Sequence, residues 1–302
     1  MGRPHLDPYR HLLQPSAPLD RDQLRATFFG VSTVLFRAGS DAVMVDGFFS
    51  RPGLARVVAG RVAPDHPRIV RSLHRTGVTH LDAVIPVHSH YDHALDAPAV
   101  AALTGATVVG SASTANIASG YGLPPAKIHE VSAGEVLRYG RLTVTMIAAA
   151  HSPTPFARGV VTRPVRPPAR ATAFRMGECF SVLVECDGRT ALVNGSAGFI
   201  PRVLRDVRAD VVYLGIPTLG RQHAEFRAAL WREVVETTGA RRVIPVHWDA
   251  FWRPLDRPLV PFPRLIDDLD VSMKFLADRC ERAGIDLTLP VAWQVTDPFA
   301  GL

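Results

Sequence analysis

The feature that most constrains the fold of this chain is the string H-S-H-Y-D-H at residues 88–93. It places three imidazoles and one carboxylate within six residues, directly after the apolar run 81–87. A strand that ends in such a cluster is typical of a metal site, because neutral imidazole binds zinc, iron, copper or nickel and a carboxylate adds negative charge. A solvated histidine-rich turn is the alternative, but four ligand-type side chains at this spacing favour the metal site.

The spacing within this string favours two adjacent metal positions. His88 and His90 lie two residues apart, so they can point to the same side of a loop. Asp92 and His93 then fall on the other side of the turn. The motif can therefore supply ligands to two neighbouring ions.

The string H-x-H-x-D-H resembles the signature of the metallo-β-lactamase superfamily. The resemblance implies an α/β fold, an αββα sandwich of two mixed β-sheets between helix layers, with further ligands placed singly at strand ends. His151 follows the strand-like run 142–150, and His247 follows the run 242–246. The implied ligands are His88, His90 and His151 for one metal and Asp92, His93 and His247 for a second.

One expected ligand is missing from this pattern. The resemblance implies a bridging aspartate after a strand of the second half, where the chain reads L-V-N-G-S-A-G at 192–198 and places Ser196. A neutral hydroxyl is a poor ligand, and Asp187, in an apparent Asp187-Gly188 hairpin turn, is a weak substitute. Either the second metal binds more weakly, or the site holds one metal and Asp92 is free to act as a general acid or base.

The implied cofactor is zinc, as one or two ions, with iron or manganese as alternatives. Its expected role is to lower the pKa of a bound water to ~7, so that hydroxide forms at neutral pH, and to polarise the electrophile. Asp92 is the candidate catalytic residue, orienting this hydroxide or passing a proton to the leaving group. Asp46, at the end of an early strand, is either a hydrogen-bond partner of a ligating imidazole or a turn residue before Gly47.

Two apolar strings resemble one branch of the superfamily. They are F-G-V-S-T-V-L at 29–35 and M-V-D-G-F-F at 44–49. The branch contains the L-ascorbate phosphate lactonase and the N-acyl-phosphatidylethanolamine phospholipase D. Neither substrate is carried over, because the loop 152–177 shows no matching motif.

Composition excludes several other classes of protein. The net charge is +6, but only Lys127 and Lys274 are lysines and no basic run of five appears, so we expect no nucleic-acid partner. The three cysteines form no C-x-x-C pair, which argues against a disulfide scaffold or a thiolate zinc site and favours a reducing cytoplasm. No apolar run of 18 residues predicts a membrane span, and residues 1–20 do not read as a signal peptide, although a trimmed one would leave no trace.

The 302 residues are predicted to form an N-terminal extension at 1–24 and a single metallo-β-lactamase-type domain at 25–302. Turn signals and periodicity predict alternating elements. The predicted strands are 25–29, 32–36, 42–45, 82–87, 108–109, 128–131, 142–150, 180–185, 191–193, 211–214 and 242–246. The predicted helices are 65–76, 96–103, 111–119, 200–207, 224–237 and 267–282.

The segment 152–177 interrupts this alternation. It contains five prolines, five arginines and no acidic residue, and it begins next to His151. A long irregular segment in a compact domain is usually functional or disordered. We expect it to wall or cover the metal pocket, and its arginines favour a substrate with a phosphate or carboxylate group. A structural wrap-around is the alternative.

These features favour a metal-dependent hydrolase that cleaves a small ester-like bond, in a lactone, a carboxylic ester or a phosphodiester. The expected partner is a small-molecule substrate, and the sequence does not indicate an oligomeric state. The alternative is a mononuclear iron dioxygenase of the same fold that acts on a thiol-derived substrate. A nuclease is disfavoured, because no nucleic-acid-gripping domain separates the two halves.

Overall fold

Two β-sheets form the centre of the molecule in the computed structural model, which describes residues 2–14 and 22–302. The strands are β1 (Arg25–Phe28), β2 (Val34–Ala38), β3 (Asp41–Val45), β4 (Ala83–Ile85), β5 (Thr107–Gly110), β6 (Ile128–Glu130), β7 (Val136–Tyr139), β8 (Leu142–Ala149), β9 (Cys179–Cys186), β10 (Arg189–Asn194), β11 (Val211–Gly215), β12 (Arg242–Val246), β13 (Asp286–Leu287) and β14 (Val295–Thr296). The first sheet has the order β14-β1-β2-β3-β4-β5-β6, and the second has the order β13-β12-β11-β10-β9-β8-β7.

The two sheets share one plan. In the first, β1, β2 and β3 pair antiparallel and β3 to β6 pair parallel. In the second, β7 to β10 pair antiparallel and β10 to β13 pair parallel. The predicted turn at Asp187-Gly188 joins β9 to β10, with φ angles of 51° and 76°. Both sheets are therefore mixed, as the resemblance implied.

Helices cover the outer face of each sheet. They are α1 (Leu54–Ala59), α2 (His66–Arg75), α3 (Tyr91–Ala94), α4 (Ala97–Thr104), α5 (Ala112–Tyr121), α6 (Ala224–Leu230) and α7 (Leu269–Ala283), and a π-helix at Trp231–Glu236 continues α6. Buried residues of α2, α4 and α5 pack on the first sheet, and those of α6, the π-helix and α7 pack on the second. The predicted αββα sandwich is confirmed. Within the part of the chain that the structure describes, no helix combines the length and the apolar character needed to cross a membrane.

The inner faces of the two sheets bury one common core. Val45 and Ile85 of the first sheet belong to the same buried cluster as Val144 and Val193 of the second. Both halves of the chain therefore contribute to one core, and a single domain over 25–302 stays a prediction.

The predicted extension 1–24 lies partly outside the described residues, which omit residue 1 and residues 15–21. Its described part contains a 3-10 turn at Asp7–Leu12, and the Tyr9 hydroxyl donates to Asp270 Oδ1 over 2.8 Å. The backbone at Leu13 bridges to Leu289. The described part of the extension therefore packs against the helix layer of the second sheet.

The prediction of a helix at 200–207 is wrong, because the structure has turns there. Apolar residues recur there at helical spacing, but Arg202 has a φ of 66°, which a right-handed helix does not admit. The sequence reading also missed α1, which buries no residue, and β7, an edge strand that is largely exposed. Strand β2 begins two residues later than predicted, because residues 30–33 form a turn in which the Thr33 N–H donates to the Gly30 carbonyl over 3.0 Å.

Candidate metal centre

The predicted ligands follow the carboxyl ends of three strands, which meet at one edge of the sandwich. His88 follows β4, His151 follows β8 and His247 follows β12. The short helix α3 begins directly after His90 and carries Asp92 and His93. All of these side chains except His151 are almost fully buried, and His151 is partly exposed. The fold therefore assembles ligand-type side chains that lie up to 159 residues apart, between 88 and 247.

His88, His90 and His151 form the first triad, and their ligand atoms all lie within 4.8 Å of one another. His88 Nε2 lies 3.1 Å from His90 Nδ1. Two nitrogens that each lie ~2.0–2.1 Å from a tetrahedral zinc are about 3.3 Å apart, so this spacing suits a shared cation. His151 Nδ1 donates to the Ser152 carbonyl over 2.7 Å, which leaves its Nε2 as the free acceptor.

Asp92, His93 and His247 form the second triad under the same limit of 4.8 Å. His93 Nε2 and His247 Nε2 lie 3.2 Å apart. Asp92 Oδ2 lies 3.3 Å from His247 Nε2 and 3.6 Å from His93 Nε2. The rings of His88 and His93 have centroids 4.0 Å apart, so the two triads adjoin. The structure thus brings together all six predicted ligands, whose binding to metal remains a prediction.

The electrostatics of the first triad favour the form of histidine that binds metal. Burial, followed by repulsion from neighbouring imidazoles, lowers the pKa of His88 well below its usual value. Burial is also the main cause that lowers the pKa of His90 and of His151 to about 4. All three side chains are therefore neutral at physiological pH, with lone pairs available for a cation.

Asp46 holds one ligand of the second triad in place. Its carboxylate is fully buried and lies 2.9 Å from His93 Nδ1, so the predicted contact with a candidate ligand is present. Asp46 also accepts hydrogen bonds from the Ser32 hydroxyl over 2.6 Å and from the Val87 N–H over 2.9 Å. Because a carboxylate only accepts, His93 Nδ1 carries the proton and its Nε2 faces the triad as an acceptor.

The second triad is the more negative of the two. Burial alone would lower the pKa of His93, but Asp46 and Asp92 raise it. Burial alone would raise the pKa of Asp92, whereas His93 and His247 hold it below its usual range. Asp92 is therefore an ionised carboxylate, and the field of the two carboxylates around His93 favours a cation at this position.

Ser196, at the sequence position where a bridging carboxylate was expected, contacts Ser152, the residue that follows His151. Its Oγ accepts a hydrogen bond from the Ser152 N–H over 3.0 Å, and the side chain is buried. Asp187, the other carboxylate considered, forms an exposed ion pair with Arg141 in the β9–β10 turn. Among the described residues, Asp92 is the only carboxylate in the two triads.

Sequence reasoning missed a buried ion pair that anchors the segment after β12. Asp249 and Arg51 are both fully buried and form an ion pair. The other Asp249 oxygen accepts from the Val31 N–H over 2.8 Å, and the Val31 carbonyl accepts from the His247 N–H over 2.6 Å. This network fixes His247, whose φ is 60°. The only sequence signal was the position of Asp249, two residues after a ligand.

A cavity of about 310 Å³ opens over both triads. Asp92 and three of the histidines, at 90, 151 and 247, lie at its floor. The walls include a set of large apolar side chains. These are Leu54, Val57, Phe156, Phe251, Trp252, Phe262 and Ile266.

The loop 152–177 contributes to this cavity only through its first residues. Ser152, Thr154 and Phe156 line the wall, whereas the rest of the loop packs on the helix layer of the first sheet. Its backbone at Ala169 bridges to Val62 there. All five arginines of the loop are exposed, and none lines the cavity in the described structure. The loop is thus a wall of this cavity followed by a segment that wraps onto the helix layer. Arg158 lines a neighbouring cavity with His151, so the preference for an anionic substrate stays a prediction.

Comparisons with known proteins agree with this geometry. A family model described as a beta-lactamase superfamily domain matches residues 41–248. The chain therefore belongs to the beta-lactamase superfamily. With its αββα fold, it is a metal-dependent hydrolase of the metallo-β-lactamase fold. The match covers all six predicted ligands, from His88 to His247.

Individual relatives are distant. The chain is 24% identical over 236 residues to a protein named UPF0173 metal-dependent hydrolase from Staphylococcus aureus (strain JH9), covering 76% of this chain and 87% of the relative. A solved metallo-beta-lactamase fold protein, YhfI from Bacillus subtilis, has a TM-score of 0.53 and 14% identity, covering 91% of this chain and 100% of that one. A metallo hydrolase from the archaeon Ignicoccus hospitalis has a TM-score of 0.52 and 14% identity, covering 91% and 98%. These structures support the fold.

Proposed function

We propose that this hydrolase cleaves a small ester-like bond, in a lactone, a carboxylic ester or a phosphodiester. The observation that carries the proposal is the pair of adjoining triads beneath a cavity of about 310 Å³. This volume lies near the lower end of the ~300–1,000 Å³ typical of small-molecule sites. The cavity therefore fits a small-molecule substrate better than a polymer.

The residues present fit one or two divalent cations, with zinc as the first candidate. His88, His90 and His151 would hold one ion, and Asp92, His93 and His247 would hold the other. When bound, such ions supply Lewis acidity, which polarises a carbonyl or phosphoryl oxygen and makes water reactive near neutral pH. Asp46 would keep His93 in the tautomer that leaves Nε2 free.

Asp92 is the proposed catalytic residue. It lines the cavity, and its carboxylate is ionised and 3.3 Å from His247 Nε2. As a base it would accept a proton from the attacking water and then pass it to the oxygen of the leaving group. If the second ion is bound, Asp92 would instead be a ligand and orient the water. The missing acidic group at Ser196 weakens the second position, which favours the first role.

Metal analysis combined with a hydrolysis screen tests the proposal. Protein purified without added metal should contain one or two divalent ions and should hydrolyse at least one member of a panel of lactones, aryl esters and phosphodiesters. His90→Ala should lose metal and activity together. His80→Ala, which changes an exposed histidine paired with Asp82, is the matched control. Metal-loaded protein that hydrolyses none of the panel would overturn the ester-like bond as the target.

An oxygenase remains the second candidate, because of one specific observation. Asp92, His93 and His247 form a set of two histidines and one carboxylate, which is the ligand set of many non-haem iron oxygenases. Iron as the bound metal, together with oxygen consumption in the presence of a thiol-derived substrate, would favour this reading over hydrolysis.

We further propose that the chain falls in the branch with the L-ascorbate phosphate lactonase and the N-acyl-phosphatidylethanolamine phospholipase D. The second string contains Asp46, which contacts His93, and the first contains Ser32, which donates to Asp46. This proposal concerns the residues around the metal centre. It does not assign the substrate of either protein to this chain.

A further inference from the structure

The wall of the metal cavity is largely apolar, and this restricts the kind of substrate that fits it. Seven of its lining residues are large apolar or aromatic side chains, drawn from α1, the loop 152–177 and the segment 248–266. Among the described residues of the lining, Asp92 is the only acidic group, and there is no lysine or arginine. A charged substituent placed against this wall would lose its hydration without gaining a cationic partner.

The aromatic wall begins at the candidate ligands themselves. The Phe156 ring lies 5.7 Å from the His90 ring in the first triad. The Phe251 ring lies 5.5 Å from the His247 ring in the second triad. A scissile bond held between the triads inside this cavity would therefore place its substituents against Phe156 or Phe251.

This wall is also preorganised. Phe251, Trp252 and Phe262 contact one another with ring centroids 5.5–5.6 Å apart. The segment that carries them is closed by a backbone bridge between Asp249 and Pro261, and Asp249 is held by the buried Arg51. Side chains that are already ordered lose little conformational entropy when a ligand arrives. The cluster is therefore ready to receive an apolar group.

The apolar surface continues outward at the mouth of the cavity. Leu54, Phe156 and Ile266 line the opening and remain 47%, 38% and 39% exposed. An alkyl chain longer than the cavity would leave along this rim and still exclude water from apolar surface. A polar or charged chain would gain nothing there.

From these observations we propose that the substrate carries an uncharged apolar group, aryl or medium-length alkyl, next to the hydrolysed bond. Phe251 and Trp252 are the specificity-determining residues. This inference rests on the proposed hydrolysis, in which the oxygen of water bonds to the acyl carbon, the ester C–O bond breaks, and the proton released by water goes to the leaving oxygen. The polar end of the substrate lies at the triads, and the apolar end lies against the aromatic wall.

A series of p-nitrophenyl esters tests this specificity, because the leaving group stays constant. The acyl groups are acetate, butyrate, hexanoate, phenylacetate and hemisuccinate, and kcat/KM is measured with zinc-loaded protein. We expect kcat/KM to rise at least about tenfold from acetate to hexanoate or phenylacetate, as apolar pockets discriminate by such factors. The hemisuccinate ester should be the poorest substrate. A flat series, or a preference for hemisuccinate, would overturn the inference.

Variants of the wall test which side chains determine the preference for apolar acyl groups. Phe251→Ala and Trp252→Ala should each reduce the hexanoate-to-acetate ratio, and Phe251→Leu should restore most of it. Phe226→Ala is the matched control, because it removes a half-buried phenyl ring of α6 that does not line the cavity. A ratio is insensitive to the fraction of folded enzyme. If Phe251→Ala changes the ratio no more than Phe226→Ala does, the specificity does not come from this wall.

A binding measurement separates the failure of this inference from the failure of the proposed function. Acetohydroxamate, benzohydroxamate and succinate monohydroxamate share one metal-binding head, and calorimetry gives their affinities for zinc-loaded protein without turnover. Tighter binding of benzohydroxamate, with no ester hydrolysed, would retain the apolar site and reject the ester as substrate. Equal affinities, or tightest binding of the succinate compound, would reject the apolar site whether or not esters are hydrolysed.

Discussion

Replacing Asp46 with Asn should disable the second triad without touching a candidate ligand. In the parent protein the Val87 N–H donates to Asp46 Oδ1 over 2.9 Å. In Asp46→Asn this N–H would still need an acceptor, so the amide oxygen would take the place of Oδ1. The new NH₂ group would then face His93 Nδ1, where Asp46 Oδ2 now lies at 2.9 Å. An NH₂ group donates, so His93 Nδ1 would become the acceptor and the proton would move to Nε2. A protonated Nε2 cannot bind a metal.

The size of the effect follows from the position of Asp46. Losing a hydrogen-bond partner of a metal ligand typically lowers metal affinity by 10–100-fold, or about 1.4–2.7 kcal/mol. The loss should fall on one ion per chain, because His88, His90 and His151 make no direct hydrogen bond to Asp46 in the described structure. We therefore expect Asp46→Asn to weaken the second metal and to retain the first.

Calorimetric zinc titration of the metal-free proteins measures both steps. Asp82→Asn is the matched control, since Asp82 also pairs with a histidine, His80, but lies at the opposite end of β4. Circular dichroism establishes that each variant is folded. If folded Asp46→Asn binds zinc with the stoichiometry and affinities of the parent protein, Asp46 does not set the tautomer of His93.

Three further predictions concern Ser196, the arginines of the loop 152–177 and Asp96. Ser196→Asp should strengthen binding of the second zinc, on the order of tenfold, because it would restore the anionic ligand expected between the two cations; zinc titration against the parent protein checks this. The triple replacement of Arg163, Arg166 and Arg170 by Ala should change KM for a phosphodiester by less than about twofold, because these side chains are exposed and outside the cavity; a larger rise in KM would support the prediction of an anionic substrate. Burial raises the pKa of Asp96 from 3.8 to about 6, so the folded protein binds this proton more tightly than the unfolded chain does. The contribution of protonated Asp96 to the free energy of unfolding is therefore complete below pH 3.8 and is lost as the pH rises through about 6. Asp96→Asn should remove this loss, worth about 3 kcal/mol at most, and chemical unfolding of both metal-free proteins from pH 4 to 8 measures the difference.

The sequence by itself predicted the fold class and the side chains that meet in the two triads. The string at 88–93 and the strand-end positions of His151 and His247 resemble the pattern of the metallo-β-lactamase superfamily, and this resemblance implied the two triads that the structure brings together. Periodicity also located most elements within a few residues, as for α2, where Asp65 accepts the Arg68 N–H as the N-cap. These features depend on local spacing, which the sequence displays directly.

The sequence did not determine local structure where a single backbone angle or the tertiary context decided it. Residues 200–207 have helical spacing, yet the positive φ of Arg202 prevents a helix, and Val203 and Leu204 are packed against the core by turns instead. The arginines of the loop 152–177 suggested an anion site, but their composition did not reveal which way they point. Burial of Val161 and Phe174 turns that loop onto the first helix layer and leaves the arginines in solvent.

Only the tertiary structure decided which side chains surround the metal centre. Asp46 and His93 are 47 residues apart, and Arg51 and Asp249 are 198 residues apart, so no local pattern links either pair. Phe156, Phe251 and Ile266 reach one cavity from two separate segments. The candidate ligands can be predicted from the sequence because metal coordination requires a few residue types at strand ends. Any apolar residue, in contrast, can form part of a cavity wall, and its neighbours are set by how the whole chain packs.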